Sequence, residues 1–403
     1  MRVVVLGGGY AGVVVATRLE DLLPSDVDLV LVDETGTHLV RHELHRLIRR
    51  PGLAEAIQIP LEQILSRTGV VTDRVVGLDV DERVVQLDAG PALDYETAAL
   101  CLGTVTDFHA ISGVEEYGIP LERPAHARAI RERVGAIRDR GEGSVIVGGA
   151  GLAGVQAAGE VAEVVREAGV DGVSITLLEE APHVAPRFGA DFRAAIGDAL
   201  ESRGVTVRTG AAVTGATDER IRTADGTEYE YDCLVWTGGI RGTDALSGER
   251  PRVRADLRLA EGTFALGDAA TVIDAMGSAV VPSAQTAIRQ GRVAAGNISA
   301  RIEGVRKAGG FRPRYDKYRY DPTAWVVSVG DAAVAKVGPQ VLTGSPAKAL
   351  KSTVGVGYLS SAGAIREAVG LVRREFGLAI PDVLDRAMGT DEMTERIGRD
   401  GGE

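Results

Sequence analysis

The sequence predicts an α/β protein with two Rossmann-like dinucleotide-binding domains and a C-terminal α/β segment. Three observations carry that prediction. A short β-branched run at residues 3–6 ends in the glycine pattern Gly7, Gly9 and Gly12. The same pattern recurs at Gly149, Gly151 and Gly154. In each copy the following apolar run closes on an acid, Asp33 in the first and Glu179 in the second.

RVVVLGGGYAGVVVATRLEDLLPSDVDLVLVD reads as strand, glycine turn, helix and strand. Continuous apolar runs of this length suit strands buried on both faces of a parallel sheet. The first glycine permits the tight turn and the second lets a pyrophosphate approach the backbone. The third lets helix and strand pack closely, and the acid holds a ribose hydroxyl. SVIVGGAGLAGVQAAGEVAEVVREAGVDGVSITLLEE repeats every part. Two complete fingerprints imply two nucleotides, FAD and NAD(H). An acid at Glu179 accepts hydrogen bonds from an adenosine ribose and repels a 2′-phosphate, which favours NADH over NADPH.

Three further strands end in glycine. ALCLGTVTDF closes at Gly103, YDCLVWTGG at Gly238 and Gly239, and TFALGDAA at Gly267–Asp268. The first two follow hairpin-like segments, where a chain would leave one nucleotide domain. A carboxylate at the strand edge, Asp268, can hydrogen-bond the ribityl chain of FAD. VPSAQTAIRQG, residues 281–291, reads as a helix start with Gln285 and Arg289 on one face.

The bulk numbers set limits. A chain of 403 residues is too long for one core. The net charge of −12 argues against nucleic acid as a partner. Lysine is confined to Lys307, Lys317, Lys336, Lys348 and Lys351, an arginine bias that fits a salt-loving organism or a GC-rich genome. Cys101 and Cys233 sit in apolar runs and read as buried thiols in a reducing cytosol. No signal peptide is visible, and no apolar run reaches the about 18 residues needed to cross a bilayer.

With these residues in place, the sequence resembles the flavoproteins with two dinucleotide-binding domains, and among them the type II NADH dehydrogenases, single-subunit NADH:quinone oxidoreductases. The resemblance runs from residue 1 to about 360, on GGGYAG, LGTVTDF, GGAGLAGVQAAGE, WTGGIRG, ALGDAA and SAQTAIRQG. It implies an FAD domain (1–115 and 240–310) interrupted by an NAD(H) domain (116–239), then a membrane-associating or interface segment (311–403). Gly7, Gly9, Gly12, Asp33, Gly103, Gly267, Asp268, Ala284 and Gln285 are expected to bind FAD. Gly149, Gly151, Gly154, Glu179 and Gly238 are expected to bind NADH. Gln285, Gln290 and Lys351 are the expected catalytic residues, and no metal is expected.

The implied reaction is hydride transfer from NADH to FAD, then electron transfer to a membrane quinone without proton pumping. That places the protein at the cytoplasmic side of the cell membrane, or in the cytoplasm. Two departures bear on the quinone step: Arg289 stands where the family motif has glutamine, and Gln156 where it has glutamate. A neutral amide cannot exchange a proton as a carboxylate would. The alternatives are a soluble NAD(P)H-dependent reductase of another acceptor, or a non-catalytic flavin sensor. The helix HLVRHELHRL carries none of the cysteines a disulfide reductase needs, and Cys101 and Cys233 are not placed for sulfide:quinone chemistry.

His38, His42 and His45 share one face if that stretch is helical. They could bind a metal, pack beside the flavin or face solvent. RYDKYRYDPTAWVVSVGDAAVAKVG reads as two short strands around Gly330–Asp331. GAIREAVGLVRREFGL, residues 363–378, is amphipathic and could meet an anionic membrane, the protein's own body or a second subunit of a homodimer.

Overall fold

A computed structural model describes residues 1–307, 313–321 and 324–351. The first sheet grows from β1 (Arg2–Leu6), whose Val3, Val4, Val5 and Leu6 are fully buried. Helix α1 (Tyr10–Leu22) crosses back to β2 (Asp28–Asp33), which pairs parallel with β1. β3 (Gly69–Thr72) extends this side, and β4 (Thr97–Leu100) pairs with β1 on the other.

The chain then builds a second sheet. It contains β5 (Ile119–Pro120), β6 (Glu142–Gly148), β7 (Gly172–Glu179), β8 (Val205–Thr209) and β9 (Cys233–Trp236). Their order is β5-β9-β6-β7-β8, with every pair parallel. The crossovers include α2 (Pro124–Arg140), α3 (Leu152–Glu167) and α4 (Ala190–Glu201). Parallel neighbours need such crossovers, which cover both faces and allow the strands to be apolar throughout.

After β9 the chain returns to the first sheet. β10 (Arg258–Ala260) and β11 (Thr263–Ala265) form a hairpin, and β11 pairs parallel with β4. The first sheet therefore reads β10-β11-β4-β1-β2-β3. In each sheet an antiparallel meander precedes the last parallel strand laid down before the chain leaves, at 75–94 and at 213–230.

Helix α5 (Ala284–Arg306) lies against α1, where Gly291 faces Val14 and the Ala11 backbone. Its N-terminus is closed by a capping box: Ser283 Oγ accepts from Thr286 N, and Ser283 N donates to Thr286 Oγ1. One of the helix's otherwise unsatisfied N–H groups is thus already used. The Thr286 side chain is buried in this cap.

The third sheet is β12 (Ala324–Val329), β13 (Ala332–Val337) and β14 (Gln340–Thr343), all antiparallel. The two strands expected around Gly330–Asp331 are present. This sheet packs on α3 and α4, with the Val329–Gly330 backbone against Gly159. Arg49 ties the junction by pairing with Glu160 at 2.8 Å and Asp331 at 2.7 Å. The amphipathic stretch 363–378 lies outside the described residues. Among those described, no helix is long and apolar enough to cross a membrane.

Candidate functional site

The two glycine turns have the same construction. Gly7 has φ +103° and Gly149 φ +93°, a region that L side chains avoid. A Cβ on Gly12 would stand 1.8 Å from the Gly7 carbonyl, and one on Gly154 would stand 1.9 Å from the Gly149 carbonyl. Helix and strand can approach this closely only without those side chains. The N-caps of α1 and α3, Gly9 and Gly151, offer no side-chain cap. Both helix starts therefore keep backbone N–H groups and positive dipole ends for an anion.

Both acids are held by their own turns. Asp33 Oδ2 accepts from Gly8 N at 2.8 Å, and its Oδ1 accepts from Thr35 N at 2.9 Å. Glu179 repeats this, accepting from Ala150 N at 2.7 Å and Ala181 N at 2.9 Å. Each carboxylate is thus fixed at the end of its second strand with lone pairs remaining for a ribose. Gly238 lies behind the second turn: a Cβ on Gly149 would come within 2.7 Å of its Cα.

The first turn opens into a cavity of about 520 Å³. Gly7, Gly9, Asp33, Gly103, Gly267, Asp268, Ser283, Ala284 and Ala287 all line it. That size suits a small-molecule cofactor. Asp268 Oδ1 is buried there without a hydrogen-bond partner among the described residues. Burial raises its carboxyl pKa, while Arg41 and Arg250 oppose the rise. A ribityl hydroxyl would satisfy this orphaned oxygen, so the residues present fit FAD. Ala153 and Gln156 of α3 line the same cavity, so helices following both glycine turns meet at one space. Gly12 stands behind the turn in a packing role.

The expected catalytic residues separate. Gln285, half-buried in the first turn of α5, is not part of the cavity wall. Gln290 is corrected more strongly. It is 2% exposed, does not line the cavity, and accepts the Gly267 N–H at 2.7 Å. It anchors the Gly267–Asp268 turn from behind. Arg289 donates to the Asp321 carbonyl. Lys351, by contrast, reaches inward to Ser328 Oγ at 3.2 Å, as does Gln156 at 3.4 Å.

The three histidines do not form one α-helical face. His38 is in a strand, while His42 and His45 are in a 3₁₀ turn, Arg41–Ile48. His38 Nδ1 pairs with the Gly8 carbonyl at 2.9 Å, and burial pulls its pKa down to about 4. His42 Nδ1 meets the Tyr10 hydroxyl at 2.6 Å, and both residues line the cavity. His45 Nε2 meets Ser328 Oγ at 2.9 Å. No metal-holding cluster occurs among the described residues. Beside them sits buried Glu43. Burial pushes its pKa up, but the charges of Lys351, His42 and Arg46 prevail and hold it at about 2.

Sequence reading missed Tyr10, Arg41 and Ser328. Only Tyr10 left a local signal, as the residue following the second fingerprint glycine. Cys101 and Cys233 are both buried and unbridged. Burial raises both thiol pKa values, Cys233 to about 12, which leaves them protonated.

Residues 1–291 match the model of the pyridine nucleotide-disulphide oxidoreductase family. The chain belongs to that family. Among curated proteins it is similar to the type II NADH:quinone oxidoreductase of Staphylococcus saprophyticus, 27% identical over 75% of this chain and 83% of the relative. The protein of the same name from a Staphylococcus epidermidis strain is 28% identical over the same shares. Among solved structures, NDH2 of Plasmodium falciparum in complex with NADH superposes with a TM-score of 0.76 at 12% identity, covering 93% of this chain and 98% of that one. The sulfide:quinone oxidoreductase of Aquifex aeolicus gives 0.75 at 16% identity, covering 94% and 97%. These two likenesses establish the shared fold. The resemblance drawn from the sequence motifs thus has counterparts in family, curated relatives and fold.

Proposed function

We propose that this protein is an FAD-dependent NADH:quinone oxidoreductase that works without pumping protons. The observation that carries the proposal is the meeting at one cavity of the helices that follow both glycine turns, with Ala153 and Gln156 of α3 lining the same space as Gly7–Ala11. A donor nucleotide and a flavin can face each other only in such an arrangement. The names of the curated relatives support quinone as the acceptor.

FAD, when bound, supplies the two-electron acceptor for a hydride and the donor to the quinone. The chain's own residues bind and orient. The backbone N–H groups at the starts of α1 and α3 hold the two pyrophosphates, and Asp33 and Glu179 take the riboses. Asp268 accepts from the ribityl chain. Glu179, already fixed by two N–H groups, meets a 2′-phosphate with an uncompensated negative charge, which selects NADH. Holding donor and acceptor at about 3–3.5 Å is the protein's main contribution to rate. The partially positive start of α5 adjoins the cavity through Ser283 and Ala284, where it would favour negative charge on a bound cofactor by about 1 kcal/mol. Lys351 and Gln285 are the residues assigned to the quinone side.

We place the protein on the cytoplasmic face of the membrane as a peripheral enzyme, since its acceptor resides in the bilayer. Steady-state assay of purified protein with a short-chain quinone and, separately, a non-quinone dye tests the function. NADH oxidation with the quinone is expected. Oxidation with the dye alone would favour a reductase of another acceptor.

A further inference from the structure

Beyond the glycine turns, three distant chain segments converge on one hydroxyl of a fourth. Ser328, in β12, is 2% exposed. Its Oγ lies 2.9 Å from His45 Nε2, 3.2 Å from Lys351 Nζ and 3.4 Å from Gln156 Nε2. A serine hydroxyl has one proton to give and two lone pairs to receive. The Lys351 ammonium and the Gln156 amide N–H can only donate, so they fill both lone pairs. The hydroxyl proton is left for His45 Nε2, which puts the imidazole's own proton on Nδ1.

This arrangement uses the full capacity of the hydroxyl. A protonated His45 would bring a third donor to an oxygen with two lone pairs, so the hub requires a neutral ring. Burial and the Lys351 charge act the same way, holding the His45 pKa well below its ordinary value. Glu43, Arg46 and His42 also face this ring. The hub matters to the site because Gln156 is itself part of the cavity wall.

We propose that Ser328 is a positioning residue for the acceptor half of the reaction: its hydroxyl holds the Lys351 ammonium and the Gln156 amide together at the α3 wall of the cavity. The proposal rests on the quinone-reductase reading. Neither fingerprint nor motif marks this serine. The structure assigns it through contacts that span 283 residues of sequence to His45.

The test uses the FAD-loaded protein with ¹⁵N-labelled histidine and the variants Ser328→Ala, Ser328→Thr and Lys351→Met. NMR of the wild type should show His45 protonated on Nδ1 alone at neutral pH, and Ser328→Thr should keep that pattern. Each protein is then reduced anaerobically with NADH and mixed with a short-chain benzoquinone. Ser328→Ala should reoxidise about tenfold more slowly, and Ser328→Thr within about threefold of wild type. In the Lys351→Met background, Ser328→Ala should cost clearly less than it does alone, because one of the two groups it positions is already gone.

Three results would each overturn the assignment: a wild-type His45 that carries its proton on Nε2, a threonine variant as slow as alanine, or full multiplication of the two losses. Should Ser328→Ala fail to fold, the His45 tautomer still decides, and Ser328→Thr reoxidising more than about threefold slower than wild type would also overturn the assignment. A wild-type protein that NADH reduces but no quinone reoxidises would remove the functional reading instead, and the NMR result would still judge the hub.

Discussion

Gln290 sits in the motif that suggested catalysis, yet the structure gives it a scaffold role, and Gln290→Leu separates the two. Gln290 Oε1 is the acceptor for the Gly267 N–H at 2.7 Å, in a setting where both residues are buried. Leucine is close to glutamine in size, so the change opens little cavity. What it removes is the acceptor. A buried N–H left without one costs about 1–3 kcal/mol. Gly267 holds φ +67° and carries Asp268 into the cavity, so relaxation of this turn also displaces the carboxylate assigned to the ribityl chain. The expected outcome is a loss of about 1–3 kcal/mol in denaturant unfolding and FAD affinity weakened about tenfold. At saturating FAD, quinone turnover should fall less than about threefold. A variant with wild-type stability and FAD affinity but no quinone turnover would refute the scaffold role and restore the catalytic one.

The other predictions concern nucleotide selection and pH. Gly154→Ala pushes a Cβ to 1.9 Å from the Gly149 carbonyl, so NADH should no longer bleach the flavin band while the bound-FAD spectrum persists. Glu179→Gln loses one of the two N–H acceptors and the negative charge. Its KM for NADH should rise about tenfold, and its preference over NADPH should shrink. Stability should fall as pH drops from 6.5 to about 4, because the unfolded chain protonates His38 in that window while the folded one does not. The His38 share is about 3 kcal/mol, fully present above the unfolded pKa, and His38→Gln should flatten that part of a pH-dependent denaturation series.

The nucleotide turns were legible because their constraints are local. A glycine that must hold φ +103°, or admit a carbonyl to within 1.8 Å of its missing Cβ, declares itself in a few residues of sequence. The parallel strands and the hairpin at Gly330 were legible for the same reason. Side-chain direction within α5 was not. The motif places Gln285, Arg289 and Gln290 on the helix, but α1 and the Gly267 turn determine which of them turns inward. The histidine stretch misled because the apolar and charged pattern hides a break: His38 belongs to a strand, and only His42 and His45 to the following 3₁₀ turn. Ser328 left no signal because its partners come from residues 45, 156 and 351, a juxtaposition that only tertiary packing creates.

The measurement that bears most directly on the proposed function is an anaerobic stoichiometric titration. One NADH per chain should bleach the visible band of one bound flavin, and one equivalent of short-chain quinone should then restore it. Flavin that NADH leaves oxidised, or reduced flavin that quinone cannot restore, would contradict the proposal.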